Sequence, residues 1–196
     1  SIPENIKNVN ISLGKELNAF SFYSVLMSYV NLHLRKERFN ISKYYYKDFE
    51  IFFRSPIFSI FFDSKFTEKV VSKVREKNYV FLSLDDIKKI LGEENYCKID
   101  FLFSDCDNPI GVVKSIKNMI LEFKSQLADS SYESEILYHY FKSVQKIETY
   151  IQNFNFIESV EDLKILILNM IREDKINFIG QPLVGLQVTE LLETRN

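Results

Sequence analysis

Five glycines and four prolines punctuate 196 residues. This scarcity limits the fold more than any other feature of the chain. An all-β chain needs a turn signal roughly every 8 to 12 residues, and this one cannot supply them. Long helices with few connections can be built from it. The sequence therefore predicts a mainly α, bundle-like domain with short extended or strand segments near both termini. The length suits a single domain over 1–196 rather than two. Hydrophobic residues make up 46% and charged residues 27%, which is the make-up of a folded chain and not of a disordered one.

Local patterns divide the chain. Val9-Asn10-Ile11-Ser12-Leu13 alternates apolar and polar and then meets Gly14, which reads as a short strand and a turn. From Phe20 to Arg38 the apolar residues Phe22, Leu26, Tyr29, Val30 and Leu34 recur at helical steps, with Ser21 as N-cap. Tyr44 to Arg54 reads as a second helix with Phe49, Phe52 and Phe53 on its apolar side, stopped by Ser55-Pro56. An aromatic run from Ile57 to Phe62 follows. Thr67 to Lys77, built around Val70, Val71 and Val74, reads as a third helix. Tyr79 to Leu82 is a short strand or an extended lead-in. Ser83 caps a helix with Asp85 and Asp86 in its first turn, and Gly92 ends it. Ile99 to Phe103 stays open between strand and helix. Helices are predicted from Asn108-Pro109 to about Ala128, from Tyr132 to Asn153, and from Val160 to Arg172 behind Ser159. Joined by short connections, these three suit an antiparallel bundle. The end, from Ile176 onward, turns extended again. Strand-like pieces at both ends of a helical body suit an insertion in an α/β host, with the two ends side by side.

Composition narrows function mainly by exclusion. A formal net charge of −2 gives no global basic signature for nucleic acid. The charge is uneven, however. Arg35 to Lys77 holds 11 Lys and Arg against 6 Asp and Glu, a net +5, which leaves −7 on the remainder. A solvated helix surface accounts for this, and a basic face is the sharper alternative. The 18 Phe and 11 Tyr read as a Phe-rich core, with stacking platforms for DNA bases as the other use. Cys97 and Cys106 read as a reducing-compartment pattern or a neutral one, not as a disulfide scaffold. No apolar run is long enough to cross a bilayer and the first residues carry no basic signal region, so the expected setting is cytoplasmic, without membrane.

Sought motifs are missing. There is no GxxxxGK[ST] loop to cradle phosphates, no GxSxG elbow and no HExxH helix. Glu93-Glu94 and the Asp105/Asp107 pair could hold Mg²⁺, but acids in polar stretches are far more often solvated. Glu122-Phe123-Lys124 has the local spacing of a PD-(D/E)XK nuclease without a strand to carry it. His139, on an aromatic-rich helix, reads as a packed residue. The expectation is no catalytic residue, no metal and no cofactor in this chain.

The last segment is the most specific. Phe178-Ile179-Gly180-Gln181-Pro182-Leu183-Val184-Gly185-Leu186-Gln187-Val188, followed by Leu192-Glu193-Thr194-Arg195, resembles the pattern F-x-G-E-P-L-x-G-L-Q-[IV]-M-G-x-L-E-T-R. That pattern belongs to AddB-like proteins of Bacteroidetes, inactivated superfamily I helicases of the UvrD type with a C-terminal PD-(D/E)XK nuclease. The matching positions are Gly180, Pro182, Leu183, Gly185, Leu186, Gln187, Glu193, Thr194 and Arg195. Asn10 to Leu17 with Phe22 to Val25, and Tyr46 to Phe49 with Arg54 to Ile57, are similar to two further stretches of that family in the same order. The chain departs from the pattern at Gln181 and at Thr189-Glu190. Where active motors of the type carry K-G-L-E, this chain has Val184-Gly185-Leu186-Gln187. Valine supplies no charge, and a neutral amide is a weaker acceptor than a carboxylate, which argues against nucleotide turnover here.

The resemblance implies an arrangement. Residues of about 15–175 would form a helical 2B-like insertion, and about 8–14 with 176–196 would be remnants of a RecA-like 2A domain. The function it implies is that of a non-catalytic module of a helicase–nuclease subunit in double-strand-break repair and recombination, contacting DNA or scaffolding the complex. Its partners would be DNA, the remainder of the parent chain and an AddA-type helicase–nuclease subunit. Arg35, Lys36, Arg38, Lys43, Lys47 and Arg54 are the candidate DNA contacts, since Lys and Arg neutralise phosphates. The alternative is a protein–protein docking module with no direct DNA contact.

Overall fold

The computed structural model describes residues 9–12, 15–17, 20–127, 132–154, 157–173, 175–176 and 186–189. The fold is mainly α. Eight α-helices are described: α1 (Ser21–Arg38), α2 (Tyr46–Phe53), α3 (Ser64–Glu76), α4 (Leu84–Leu91), α5 (Glu93–Ile99), α6 (Pro109–Ser125), α7 (Tyr132–Asn153) and α8 (Val160–Glu173). Short strands pair at three places. β1 (Val9–Ser12) runs parallel to β6 (Leu186–Thr189), β2 (Lys15–Glu16) antiparallel to β5 (Lys175–Ile176), and β3 (Tyr44–Tyr45) antiparallel to β4 (Phe81–Leu82). Ile11 stands opposite Val188, so the described segments nearest the two termini lie side by side, as expected. Among the described residues no helix is long and apolar enough to cross a membrane.

The helix starts follow from capping chemistry. Ser83 Oγ accepts from Asp86 N at 3.2 Å while Asp86 Oδ2 accepts from Ser83 N at 2.9 Å, a reciprocal box that opens α4. Ser159 and Asp162 repeat it at α8, at 3.0 and 3.1 Å. Asn108 Oδ1 accepts from Gly111 N at 2.9 Å to open α6, with Pro109 in the first turn where its missing N–H goes unneeded. Gly92 closes α4 with φ +85°, a conformation open to glycine at little cost.

Three expectations need correction. Ser21 is the first residue of α1 and not its cap. Phe20 holds that position in an extended conformation, and Ser24 Oγ donates back to Ser21 O at 2.8 Å. The helix predicted from Tyr44 starts two residues later, because Tyr44 and Tyr45 are extended and pair with Leu82 and Phe81. Burial of the whole Tyr44 side chain outweighs the helical pattern there. The third helix begins at Ser64 rather than Thr67, since Asp63 Oδ1 accepts from Phe66 N at 2.7 Å. The open stretch Ile99 to Phe103 is helical through Leu102, with α5 passing into a 3-10 turn over Asp100–Leu102 that Phe103 ends.

The core is aromatic. α1 buries Phe22, Val25, Leu26, Tyr29, Val30 and Leu34, and packs on α2 and α8. Ser55-Pro56 stops α2 and starts a 3-10 turn over Pro56–Ile60 that folds Phe58 back onto Phe52 and Phe53, with ring centroids 5.0 and 4.4 Å apart. Phe53 also stacks on Phe49 at 5.3 Å and 19°. α6 and α7 pack along each other, and α8 closes against both. Most of the phenylalanines this accounts for are completely buried, which matches the Phe-rich core.

Gly111 marks a close approach. A Cβ on it would stand 1.7 Å from the carbonyl oxygen of Asp105 and 2.8 Å from its carbonyl carbon, both backbone atoms. Gly111→Ala should therefore destabilise the fold by about 1–3 kcal/mol, the usual range for overpacking, despite alanine's better helix propensity. Urea unfolding followed by circular dichroism measures this. Wild-type stability would mean that the Asp105 turn yields freely.

Candidate nucleic-acid interface

The six candidate cations start from one place in the sequence and separate in space. Arg35, Lys36 and Arg38 occupy the last turn of α1, where the helix dipole favours positive charge. Arg35 and Arg38 are three residues apart and share a face, and both line a cleft of about 430 Å³ with Asn31, Asp48 and Lys164. Arg35 Nε lies 2.6 Å from Asp48 Oδ2, in an ion pair without hydrogen-bond alignment. Its guanidinium also sits over the Tyr45 ring, 4.8 Å from the centroid. Burial raises the Asp48 carboxyl above its ordinary range, and Arg35 only partly offsets this. Arg38 Nη2 is 2.5 Å from Glu161 Oε1 at the start of α8.

Lys36 is turned inward. Its side chain is 13% exposed, with Nζ 2.6 Å from Asp107 Oδ1 and 5.2 Å from the centroid of Tyr44. The hydrogen bond from Lys36, and then its charge, hold the Asp107 carboxyl below the usual range. Arg54 and Lys47 line a second groove of about 790 Å³ between α2 and α3, with Tyr46, Ile51, Arg75 and Tyr79. Arg54 grips Glu68 through both terminal guanidinium nitrogens. Lys43 and Lys47 are exposed, and neither forms an ion pair with another described residue. Four of the six cations are thus tied to carboxylates, and two stand free to meet a phosphate.

Of the motif positions, Leu186 and Gln187 lie on β6 beside Val9 and Asn10. Gly180, Pro182, Leu183, Gly185, Glu193, Thr194 and Arg195 lie outside the described residues. Glu93 and Glu94 are exposed in the first turn of α5, and Asp107 is bound to Lys36. Glu122 and Lys124 fall in the last turn of α6, beside Phe123. His139 is half-buried next to Tyr138. Cys97 is exposed and Cys106 buried, both as free thiols. Among the described residues no three His, Cys, Asp or Glu side chains are grouped to hold a metal ion.

Sequence reasoning missed a buried polar cluster beside a cavity of about 280 Å³ lined by His33, Lys36, Cys106 and Asp107. His33 is 1% exposed and sits edge-on between the rings of Tyr29 and Tyr44, 4.7 and 5.4 Å away. Neither of its ring nitrogens closes a hydrogen bond of normal geometry, although the carbonyls of Leu102 and Cys106 face it. The Tyr29 hydroxyl donates to Leu102 O at 3.0 Å and lies 3.3 Å from the Cys106 thiol. Tyr44 Oη is buried without a hydrogen-bond partner among the described residues. Only the helical spacing of Tyr29 and His33 hinted at any of this.

Burial, and then the charge of Lys36, draw the His33 pKa down from 6.5 to about 3. Between those values the unfolded chain binds a proton that the native one refuses. The stabilisation is complete above about pH 6.5 and drains away as the pH falls through that window. Urea unfolding at pH 7 and pH 5 should show a loss for the wild type approaching ~1.4 kcal/mol per pH unit. His33→Leu should lack this component whatever its absolute stability. Equal pH slopes for the two proteins would assign the acid sensitivity elsewhere.

Compared with protein-family models, with curated proteins and with solved structures, the chain finds no match in any of the three.

Proposed function

We propose that the chain is a non-catalytic helical module of an AddB-like helicase–nuclease subunit in DNA double-strand-break repair, and that it contacts DNA or holds the complex together. The observation that carries this is the parallel ladder of Val9–Ser12 with Leu186–Thr189. Parallel neighbours need a long crossover between them, and here the helical body is that crossover. Purely parallel sheets occur buried on both faces, and two strands alone have little independent stability. The ladder is therefore read as two adjoining strands of a larger α/β sheet, with the body inserted between them. Leu186 and Gln187, in the segment that resembles the AddB-like pattern, lie on one of those strands. The reading assigns the body no catalysis, metal or cofactor. It places the protein in the cytoplasm, bound to the rest of its parent chain and to an AddA-type subunit.

Lys43 and Lys47, with Arg35 over Tyr45, are the contacts that suit DNA best. The ion pairs on Arg35, Lys36, Arg38 and Arg54 favour a second reading, a docking module without DNA contact. Fluorescence anisotropy of labelled duplex, junction and single-stranded DNA across a salt series separates the two. The DNA reading expects an affinity falling with salt at a logarithmic slope of about −2 to −4, as for a few neutralised phosphates. It also expects a Lys43→Glu/Lys47→Glu variant to bind at least about tenfold more weakly. No binding at low salt would remove DNA contact and leave docking.

A further inference from the structure

The β3–β4 ladder has two unlike faces. Tyr44 and Leu82 point into the core and are 0% exposed. Tyr45 and Phe81, the next pair along, point the other way and are partly exposed, as the strand pleat requires. Phe39, 55% exposed just past the end of α1, extends the row. Ring centroids are 5.7 Å apart from Phe39 to Phe81, 5.8 Å from Phe81 to Tyr45 and 5.1 Å from Tyr45 to Tyr46. The interplanar angles of 78°, 54° and 69° show that no ring is stacked flat on its neighbour. Packing of the core explains neither the exposure of Phe39 nor the alignment of the row.

The border of the row is cationic. Arg35 lies over Tyr45 at 4.8 Å, Lys47 over Tyr46 at 5.9 Å and Lys77 over Tyr79 at 6.0 Å. The two stretches that build the row, Phe39 to Lys47 and Lys77 to Leu82, contain Lys43, Lys47 and Lys77 and no Asp or Glu. Asp48, next in the chain, is nearly buried against Arg35.

We propose that Phe39, Phe81 and Tyr45 form a stacking platform for the bases of single-stranded nucleic acid, with Lys43, Lys47 and Lys77 along its phosphates. Aromatic rings in a positively charged track are the means by which single strands are held without regard to sequence. A duplex keeps its base faces inside the stack, so it could use the lysines and not the rings. Aromatics and arginine also mark protein interfaces, but lysine is depleted there, and Lys43, Lys47 and Lys77 form no ion pair with a described residue, which suits a polyanion. The proposal rests on the DNA-contact reading above and narrows it to unpaired bases at one named surface.

The test measures anisotropy with four labelled probes of equal length: oligo-dT, oligo-U, an abasic oligomer and a DNA duplex. Unlabelled poly-L-glutamate serves as competitor. The full chain should bind oligo-dT or oligo-U at least about tenfold more tightly than the abasic oligomer, because only the first two have bases to stack. The tighter of the two identifies DNA or RNA as the source of the strand. Phe39→Ala and Tyr45→Ala should each weaken that binding about tenfold, and Tyr45→Phe should preserve it. Phe39 is exposed, so its variant keeps the test valid if Tyr45→Ala unfolds, as circular dichroism would reveal. Equal affinity for the abasic oligomer, or wild-type affinity in folded Phe39→Ala, overturns the platform. Displacement by poly-L-glutamate at the same concentration as by oligo-dT also overturns it, in favour of an acidic protein partner. Duplex binding without single-strand binding overturns the platform and leaves the broader DNA reading standing. No binding of any probe overturns both.

Discussion

Phe53 is the residue on which the helical body turns. It stacks on Phe49, meets Phe58 at 4.4 Å and reaches Phe62 at 5.9 Å. Those contacts exist because α2 stops after Phe53. Proline at 56 forbids the preceding residue a helical conformation, Ser55 is extended, and the 3-10 turn that follows returns Phe58 to the ring it has just left. Had the helix continued, Phe58 would have been carried more than a turn further from Phe53. Each such ring pair contributes about 0.5–1.5 kcal/mol beyond the area it buries. Tyr29 of α1 then rests on Phe52 at 5.1 Å, so the same turn sets how α1 meets α2. A helix stop thus acts as the seed of the core.

Charge plays a different part. The ion pairs join elements that are remote in sequence: Arg38 to Glu161, Lys36 to Asp107, Arg75 to Glu50, Lys117 to Glu148. Arg38–Glu161 is exposed on both sides, and a pair of that kind contributes ~0–1 kcal/mol, so it orients its helices more than it stabilises them. The larger effect of the ion pairs is on the field outside. Each one cancels a charge that composition would count as available. Asp107 and Glu161 lie outside the segment from Arg35 to Lys77, so their pairs with Lys36 and Arg38 lower its net +5, while Lys43, Lys47 and Lys77 around the β3–β4 ladder, with Lys65, Lys69 and Lys73 on α3, keep no carboxylate partner among the described residues. A chain with no global basic signature can still present a local one of this size.

Much of the fold was legible where the deciding interaction is local. Ser83 with Asp86 and Ser159 with Asp162 act across three residues, and Val70, Val71 and Val74 recur at helical steps, so sequence alone shows them. Tyr44-Tyr45 was misread because its partner strand is nearly forty residues away and the burial of Tyr44 is decided there. The candidate site was less legible for the same reason. Sequence identifies Lys36 and Arg38 as cations, but Asp107 and Glu161 reach them across 71 and 123 residues. Phe39, Tyr45 and Phe81 come from three elements, and no period along the chain links them. The resemblance in the last segment was legible as a pattern of residues, and most of those positions lie outside the described structure.

The attachment of the body to its ends carries a further consequence. Lys15 faces Ile176 and Glu16 faces Lys175, immediately inside the parallel ladder of β1 and β6. The chain therefore enters and leaves the helical body through adjacent paired strands. On the entering side, the buried Tyr140 hydroxyl of α7 donates to Leu17 O at 2.6 Å, with Leu17 itself fully buried. On the leaving side, α8 ends two residues before β5 and packs beside β2. Breaking the Tyr140 bond would leave a buried carbonyl without its donor, at roughly 1–3 kcal/mol. A rotation of the body about this neck that began at Leu17 would thus have to strand that carbonyl or carry α7 with it. Because α7 packs on both α6 and α8, carrying it means moving the bundle as one piece. At Leu17, therefore, a displacement is passed to the helices and not taken up between that residue and α7.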